Sequence, residues 1–423
     1  MNVLLRSVTI INGNESLKGK KRDLLIRNGV IEKIGEKLEV SEDVTVFERA
    51  GACVSVGWLD MKANFRDPGN ETEEDLVSGL EAAKAGGYTG VVLMPSTHPP
   101  VQSKADVEYL IRKSAGSVVS VYPAGALSVN REGKDVTEMY DMKMAGAVAF
   151  TDDKRSITDS GLMLRALQYS SNLNTRIISY ADDSFISGKG QVNEGVPAVI
   201  AGLKGAPSFA EELMVYRDIR ISAYTGVPVH FATLSSAESV NHIRTARADG
   251  LKITAEVTAH HLFFDDSSIS GFDTNYKVKP PFRSNADKAA LIDGVADGTI
   301  TVICSDHSPE DTESKEVEFD FAAYGIIGLE SAFGTARSAT DKKVSLETLV
   351  NCFSVNPRNV LGLGINEIKE GSTACLTIFD PDIEWTFGAG KLKSRSSNSP
   401  FIGMKLKGRA LAVYNNGQFS SCI

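Results

Sequence analysis

VSVGWLDMKANFRDPG, residues 54–69, passes from an apolar run into a cluster of polar side chains, and a helical pattern, EEDLVSGLEAAKAG at 73–86, follows it. Such a run suits a parallel strand buried on both faces, and the helix suits the cover that strand needs. Seven more apolar runs share this texture: GVVLMP (90–95), VVSVYPAGAL (118–127), AVAF (147–150), TRIISYA (175–181), VPVHFATL (227–234), KITAEVTA (252–259) and TITVICS (299–305). Amphipathic segments at 104–114, 160–172, 208–223, 236–249 and 286–297 separate most of them, several ending at glycine. Eight β/α units in succession, with polar residues gathered after the strands, predict an α/β fold closed as a (β/α)₈ barrel rather than an open sheet.

The flanks read differently. VLLRSVTII, RDLLIRNGVIEKIG and VTVFERAGACV near the start, and ACLTIFDPD and FIGMKLKGRALAVYNNGQFS near the end, are β-rich runs broken by turns at Asn28-Gly29 and Asn416-Gly417. We expect one small β-sandwich domain built from 1–53 and 364–423, with the barrel occupying 54–363. No repeat or low-complexity segment interrupts this order.

A chain of 423 residues, 42% hydrophobic and 23% charged, can bury a large core, and its net charge of -9 argues against a nucleic-acid footprint. The start, MNVLLRSVTIING, lacks the pattern of a secretory leader, and no run of 18 uncharged apolar residues follows, so we expect a cytoplasmic protein without a membrane span. Cys53, Cys304, Cys352, Cys375 and Cys422 are scattered and odd in number, which predicts buried thiols rather than disulfides or a zinc knuckle. Ala85-Gly86-Gly87-Tyr88 reads as a tight helix-to-strand turn and lacks the order of a phosphate loop.

The segment Asp60-Met61-Lys62-Ala63-Asn64-Phe65-Arg66-Asp67-Pro68-Gly69 resembles the dihydroorotase signature Asp-x-His-x-His-x-Arg-x-Pro-Gly, within the cyclic-amidohydrolase group of metal-dependent hydrolases. The resemblance spans nearly the whole chain, through GAVAFTDD, NEG at 193–195, TAEVTAHHL, KPPFR, DGTITVICSDHSP, NPRNVLGL and SRSSNSPFIGMKLKG. It implies the barrel, a place in pyrimidine biosynthesis, and a zinc site at the strand ends. Two imidazoles one residue apart on a strand point the same way and can grip one cation.

Here those two positions hold Lys62 and Asn64. After the fifth strand the family's His-Cys/Ala-Glu-Asp is Tyr180-Ala181-Asp182-Asp183, and after the sixth its His-x-x-His-x-Ser is His230-Phe231-Ala232-Thr233-Leu234-Ser235. All four imidazole ligands the resemblance implies are thus replaced, by Lys62, Asn64, Tyr180 and Thr233. The carboxylates persist, as Asp152 or Asp153 for a metal ligand and Asp306 for the general base. An ammonium offers no lone pair, and amide, phenol and hydroxyl are weak ligands beside imidazole. We therefore expect no metal cofactor, and an idle Asp306.

Of the substrate-binding positions the resemblance implies, Arg66 is kept, Ser96 and Glu310 replace an asparagine and a histidine, and Lys279 replaces an asparagine before Pro280-Pro281. An acid at 310 would repel dihydroorotate. Arg66 either binds an anion or braces the corner with Asp67. Lys62 is expected to stand in for the lost cations by pairing with Asp306 or with Asp152 or Asp153. His260 and His261 are expected to be structural, and His230 a satisfied core histidine.

The resulting expectation is a noncatalytic dihydroorotase homologue. Inactive relatives serve as structural subunits of aspartate transcarbamoylase, so the resemblance implies that partner, and a homodimer. Two alternatives stand beside it: an active, zinc-dependent dihydroorotase or related hydrolase with a degenerate site, and a barrel that senses an anion through Arg66 and Lys62.

Overall fold

The computed structural model describes residues 1–13, 15–388 and 392–423. All eight anticipated barrel strands form: Trp58–Ala63, Tyr88–Leu93, Ser120–Gly125, Ala149–Phe150, Arg176–Tyr180, Val229–Ala232, Ile253–Thr258 and Val302–Cys304. Each pairs in parallel with the next. The eighth meets the first through a parallel Ala63–His307 bridge, and the Asn64 amide donates to the His307 carbonyl at 2.9 Å. Asp60 adds a side-chain clasp by accepting from the Ser305 amide and hydroxyl, both at 2.7 Å.

Strand period two explains how this core carries polar chemistry. In the first strand Leu59 and Met61 pack in one buried cluster with Val360 and Leu361, while Asp60 and Lys62 alternate with them. The helix expected over 73–86 runs Leu76–Ala85, because Asp75 caps it and Glu74 is drawn away to His307 and Ser394. Between the fifth strand and helix Phe209–Thr225 lies an excursion the periodicity did not resolve, with the short strands Val192–Asn193 and Gly205–Ala206 paired in parallel.

The terminal strands are hydrogen-bonded into one eight-stranded sheet of their own. Strand Leu376–Thr386 joins its two halves, pairing with Cys53–Val56 on one side and Lys405–Asn415 on the other. Both expected hairpin turns form: Asn28 and Gly29, and Asn416 and Gly417, have positive φ, which this turn chemistry favours. Trp58, at the foot of the first barrel strand, sits among Tyr88, Phe333, Phe353 and Phe379 and seals sheet to barrel. All five cysteines are free and buried. Among the described residues no helix is long and apolar enough to cross a membrane.

Candidate functional site

The polar ends of the barrel strands converge at one mouth, and there the structure brings together nearly every residue singled out above. Lys62 is buried, and its ammonium pairs with the Asp153 carboxylate, whose other oxygen accepts from the Ser96 hydroxyl. A second lysine repeats the arrangement: Lys154 reaches Asp306 at 2.8 Å and the Ser308 hydroxyl at 3.3 Å. Two aspartates are thus matched by two internal ammonium groups.

Three strand ends use the left-handed backbone to aim these groups. Asp153, Thr233 and Asp306 have φ of 54°, 53° and 47°, a conformation that non-glycine residues adopt at a cost. Between the two candidate aspartates the geometry is decisive. Asp152 is turned into the protein, where it accepts from the Leu127 and Ser128 amides, both at 2.9 Å, and from the Ser128 hydroxyl. Asp153 is the one that faces the mouth.

The charge states follow from this packing. Burial opposes the Lys62 ammonium, but the surrounding Asp153, Asp306 and Glu256 outweigh it and hold lysine above its usual range. Burial likewise opposes ionised Asp153, and Lys62, Arg131 and Lys154 overcome it and hold that carboxyl below its usual range. For Asp306 burial wins and raises the carboxyl despite Lys154 and Lys62.

Arg66, with φ of 57°, does not brace Asp67, which instead accepts from Lys113 at 2.7 Å and the Tyr109 hydroxyl at 2.8 Å. The guanidinium is taken by two acids and a carbonyl: Glu310, Glu73 at 2.9 Å and the Pro309 oxygen at 3.0 Å. Burial raises both Glu310 and Glu73, the latter to about 7, with Arg66 opposing in each case. Lys279 pairs with Asp182 at 3.2 Å, and its ammonium lies 5.7 Å from the Tyr180 ring centre. Beside them opens a cavity of about 240 Å³ lined by Tyr180, Lys279, Pro281, Gln191 and Tyr324.

The histidines behave as core groups. His230 contacts Thr254 at 2.9 Å and Glu256 at 3.3 Å. His261 lies between the Thr258 hydroxyl at 2.6 Å and the Pro280 carbonyl at 3.1 Å, and burial lowers it to about 3. His260 is also kept neutral by burial, and its Nε2 is buried without a hydrogen-bond partner, as are Thr233 Oγ1 and Asp306 Oδ1. Sequence reasoning missed Lys154, Glu73 and Glu256. The available signal for Lys154 was its place directly after Asp152-Asp153.

Comparison with known proteins accounts for this frame. The Dihydro-orotase-like family profile matches residues 51–239. A dihydroorotase of Citrifermentans bemidjiense is 38% identical over 420 residues, covering 99% of both chains. One from a Thermoanaerobacter species is 41% identical over 412 residues, covering 96% of this chain and 94% of the relative. The chain belongs to the dihydroorotase family. Among solved structures, the L-hydantoinase (dihydropyrimidinase) of Arthrobacter aurescens superposes with a TM-score of 0.86 at 22% identity, covering 99% of this chain and 96% of its own. The dihydropyrimidinase of Brevibacillus agri gives 0.84 at 20%, covering 99% and 95%. At those identities the likeness establishes the fold.

The donor set at this family member's mouth does not fit a zinc centre. Lys62 supplies an ammonium where a lone pair is needed, Asp153 is engaged by Lys62, and Asp306 by Lys154. Among the described residues no three His, Cys, Asp or Glu side chains are grouped to hold a metal ion.

Proposed function

We propose that this chain is a dihydroorotase-family protein of pyrimidine biosynthesis that keeps the barrel without zinc-dependent hydrolysis, and that it serves as a structural partner of aspartate transcarbamoylase. One observation carries the noncatalytic reading: the Lys62 ammonium is bonded to Asp153 where the family would place a cation. Zinc lowers the pKa of bound water from about 15.7 to about 7, worth on the order of 12 kcal/mol of acidity. A positioned base such as Asp306 contributes about 10²- to 10⁴-fold, or roughly 3–5 kcal/mol, and does not make up that difference. The transcarbamoylase partnership rests on the family resemblance and on a fold kept whole while its mouth is rebuilt.

The other reading is an active dihydroorotase using an unforeseen ligand set. Full-length identity of 38% to a relative named dihydroorotase favours it, as does the buried Asp306 Oδ1 without a hydrogen-bond partner. The anion-sensor alternative has less support, because Arg66 and Lys62 are both already paired.

Purified protein with added zinc, assayed for dihydroorotate hydrolysis against a metal-stripped control, separates the first two readings. No zinc-dependent turnover above background supports the noncatalytic one, and enzyme-like turnover overturns it. Co-expression with the transcarbamoylase of the same organism, followed by size-exclusion chromatography, tests the partnership; separate elution of the two proteins speaks against it.

A further inference from the structure

The end of the barrel opposite the mouth holds a second polar cavity, of about 300 Å³. Its wall is built where strands begin. Arg176 opens the strand Arg176–Tyr180, whose far end, Tyr180, stands at the mouth, and Val227 and Pro228 lead into Val229–Ala232. We propose that this cavity binds a phosphate group, presented by inorganic phosphate or by a small phosphomonoester. Such a site is separate from the mouth and does not depend on what the mouth does.

The polar side chains of its lining are those of Lys143, Ser170, Ser171, Asn174, Thr175 and Arg176, and no acid is among them. Arg176 donates its Nε to the Val360 carbonyl at 2.9 Å, which fixes the guanidinium and leaves both Nη groups without a partner among the described residues. Among the same residues the Lys143 ammonium has no hydrogen bond or ion pair. Burial holds both cations below their ordinary ranges, and no neighbouring acid opposes it. Lys62 at the mouth is the contrast, held charged by Asp153 and Asp306. At the base, nothing inside the protein offsets the desolvation of two cations, and a bound anion would offset it.

Helix ends at the rim draw on these cations only in part. Helices Ser160–Leu173, Phe209–Thr225 and Val355–Leu361 stop there, each at a left-handed residue, Asn174, Gly226 and Gly362. A helix C-terminus carries about half a negative charge. The Gly226 and Gly362 amides already bond back to the Ser222 and Asn359 carbonyls, and Arg176 Nε answers Val360, so the ammonium and both Nη groups remain for a ligand. A phosphomonoester brings roughly two negative charges and three acceptor oxygens, which match two cations and the rim hydroxyls; a single carboxylate would leave one cation unmatched. Pockets for drug-sized ligands begin at roughly 300 Å³. This one therefore has room for a phosphate with a short organic tail.

The test is calorimetric titration of sodium phosphate, and separately of glycerol phosphate, into the full chain in a phosphate-free buffer of low ionic strength. One saturable site is expected, with Kd at or below about 1 mM. Lys143→Gln, which removes an ammonium bonded to nothing among the described residues, and Arg176→Gln should each weaken binding at least about tenfold. Lys37→Gln, at an exposed position beyond strand Val30–Gly35, removes the same charge elsewhere and should change affinity less than about twofold. Equal affinity for the two titrants assigns the site to the phosphate group alone, and tighter glycerol phosphate gives the organic tail a share; both sustain the proposal. No saturable binding of either titrant overturns it, as does a folded Lys143→Gln or Arg176→Gln protein that binds as tightly as the natural chain. If Arg176→Gln misfolds, Lys143→Gln decides alone, since its side chain holds no bond that folding needs.

Discussion

At the residue scale, Lys62 and Asp153 form a pair in which neither charge survives burial alone. Removing one partner of a buried pair typically costs about 3–5 kcal/mol, whereas replacing both by apolar groups is often close to neutral. Lys62→Met is therefore expected to lower stability by about 3–5 kcal/mol in urea titration, and Lys62→Met with Asp153→Leu to recover most of it. Glu73 gives a pH-dependent counterpart. Its folded pKa of about 7 lies above the ordinary 4.5, so the folded state holds a proton that the unfolded state has released. Stability from this group is complete below about pH 4.5 and is lost as pH rises through 7. Glu73→Gln should then flatten the decline between pH 5 and 8, by about 1–2 kcal/mol after solvent screening. Missing ligands were legible because histidine has a distinctive job and lysine cannot do it. The partners were not: that Glu310 would grip Arg66, or that Lys154 would neutralise Asp306, depends on loops far apart in sequence.

At the scale of elements, the helix Leu76–Ala85 shows how far a local pattern reaches. Its cap, with Asp75 and Ser78 exchanging hydrogen bonds, lies within four residues, yet Glu73 and Glu74 belong to tertiary ion pairs and shorten the helix that periodicity suggests. Gly79 on the same helix looks like a weak point in sequence. Its reason is the ring of Phe65, which a Cβ at 79 would meet at 2.5 Å. Gly79→Ala ought to gain up to about 1 kcal/mol in helix propensity, yet be destabilised overall by about 1–3 kcal/mol through overpacking. Denaturant unfolding of the two proteins checks the sign. Strand existence was legible because apolar runs mark buried parallel strands. The short excursion at 183–206 was not, since its strands are only two residues long.

For the whole molecule, the decisive contact is the aromatic seam at Trp58. Fully buried and within 4.5 to 6.3 Å of four other rings, it couples barrel and terminal sheet into one body. Trp58→Ala is expected to cost about 3–5 kcal/mol. In the natural chain, far-ultraviolet dichroism and near-ultraviolet aromatic signals should fall together on heating; two resolved transitions would show that the seam does not couple them. That the two chain ends would share a sheet could be read from their common β-rich texture and their Asn-Gly turns. Which barrel residue they would close upon could not, because a tryptophan in an apolar run carries no mark of its partners.

The terminal sheet also sets a timetable. Strand Val3–Ile10 leaves the ribosome before any barrel strand, yet Cys53–Val56 beside it finds its other neighbour only in Leu376–Thr386, and the Met1 carbonyl is held by the Tyr414 hydroxyl at 3.0 Å. Throughout synthesis of the whole barrel, the first-made strands wait with an open edge, and Trp58 waits for Phe379. A nascent chain therefore keeps an adhesive edge until Leu376–Thr386 emerges, and a stall just before that strand releases a barrel with its sticky base uncovered.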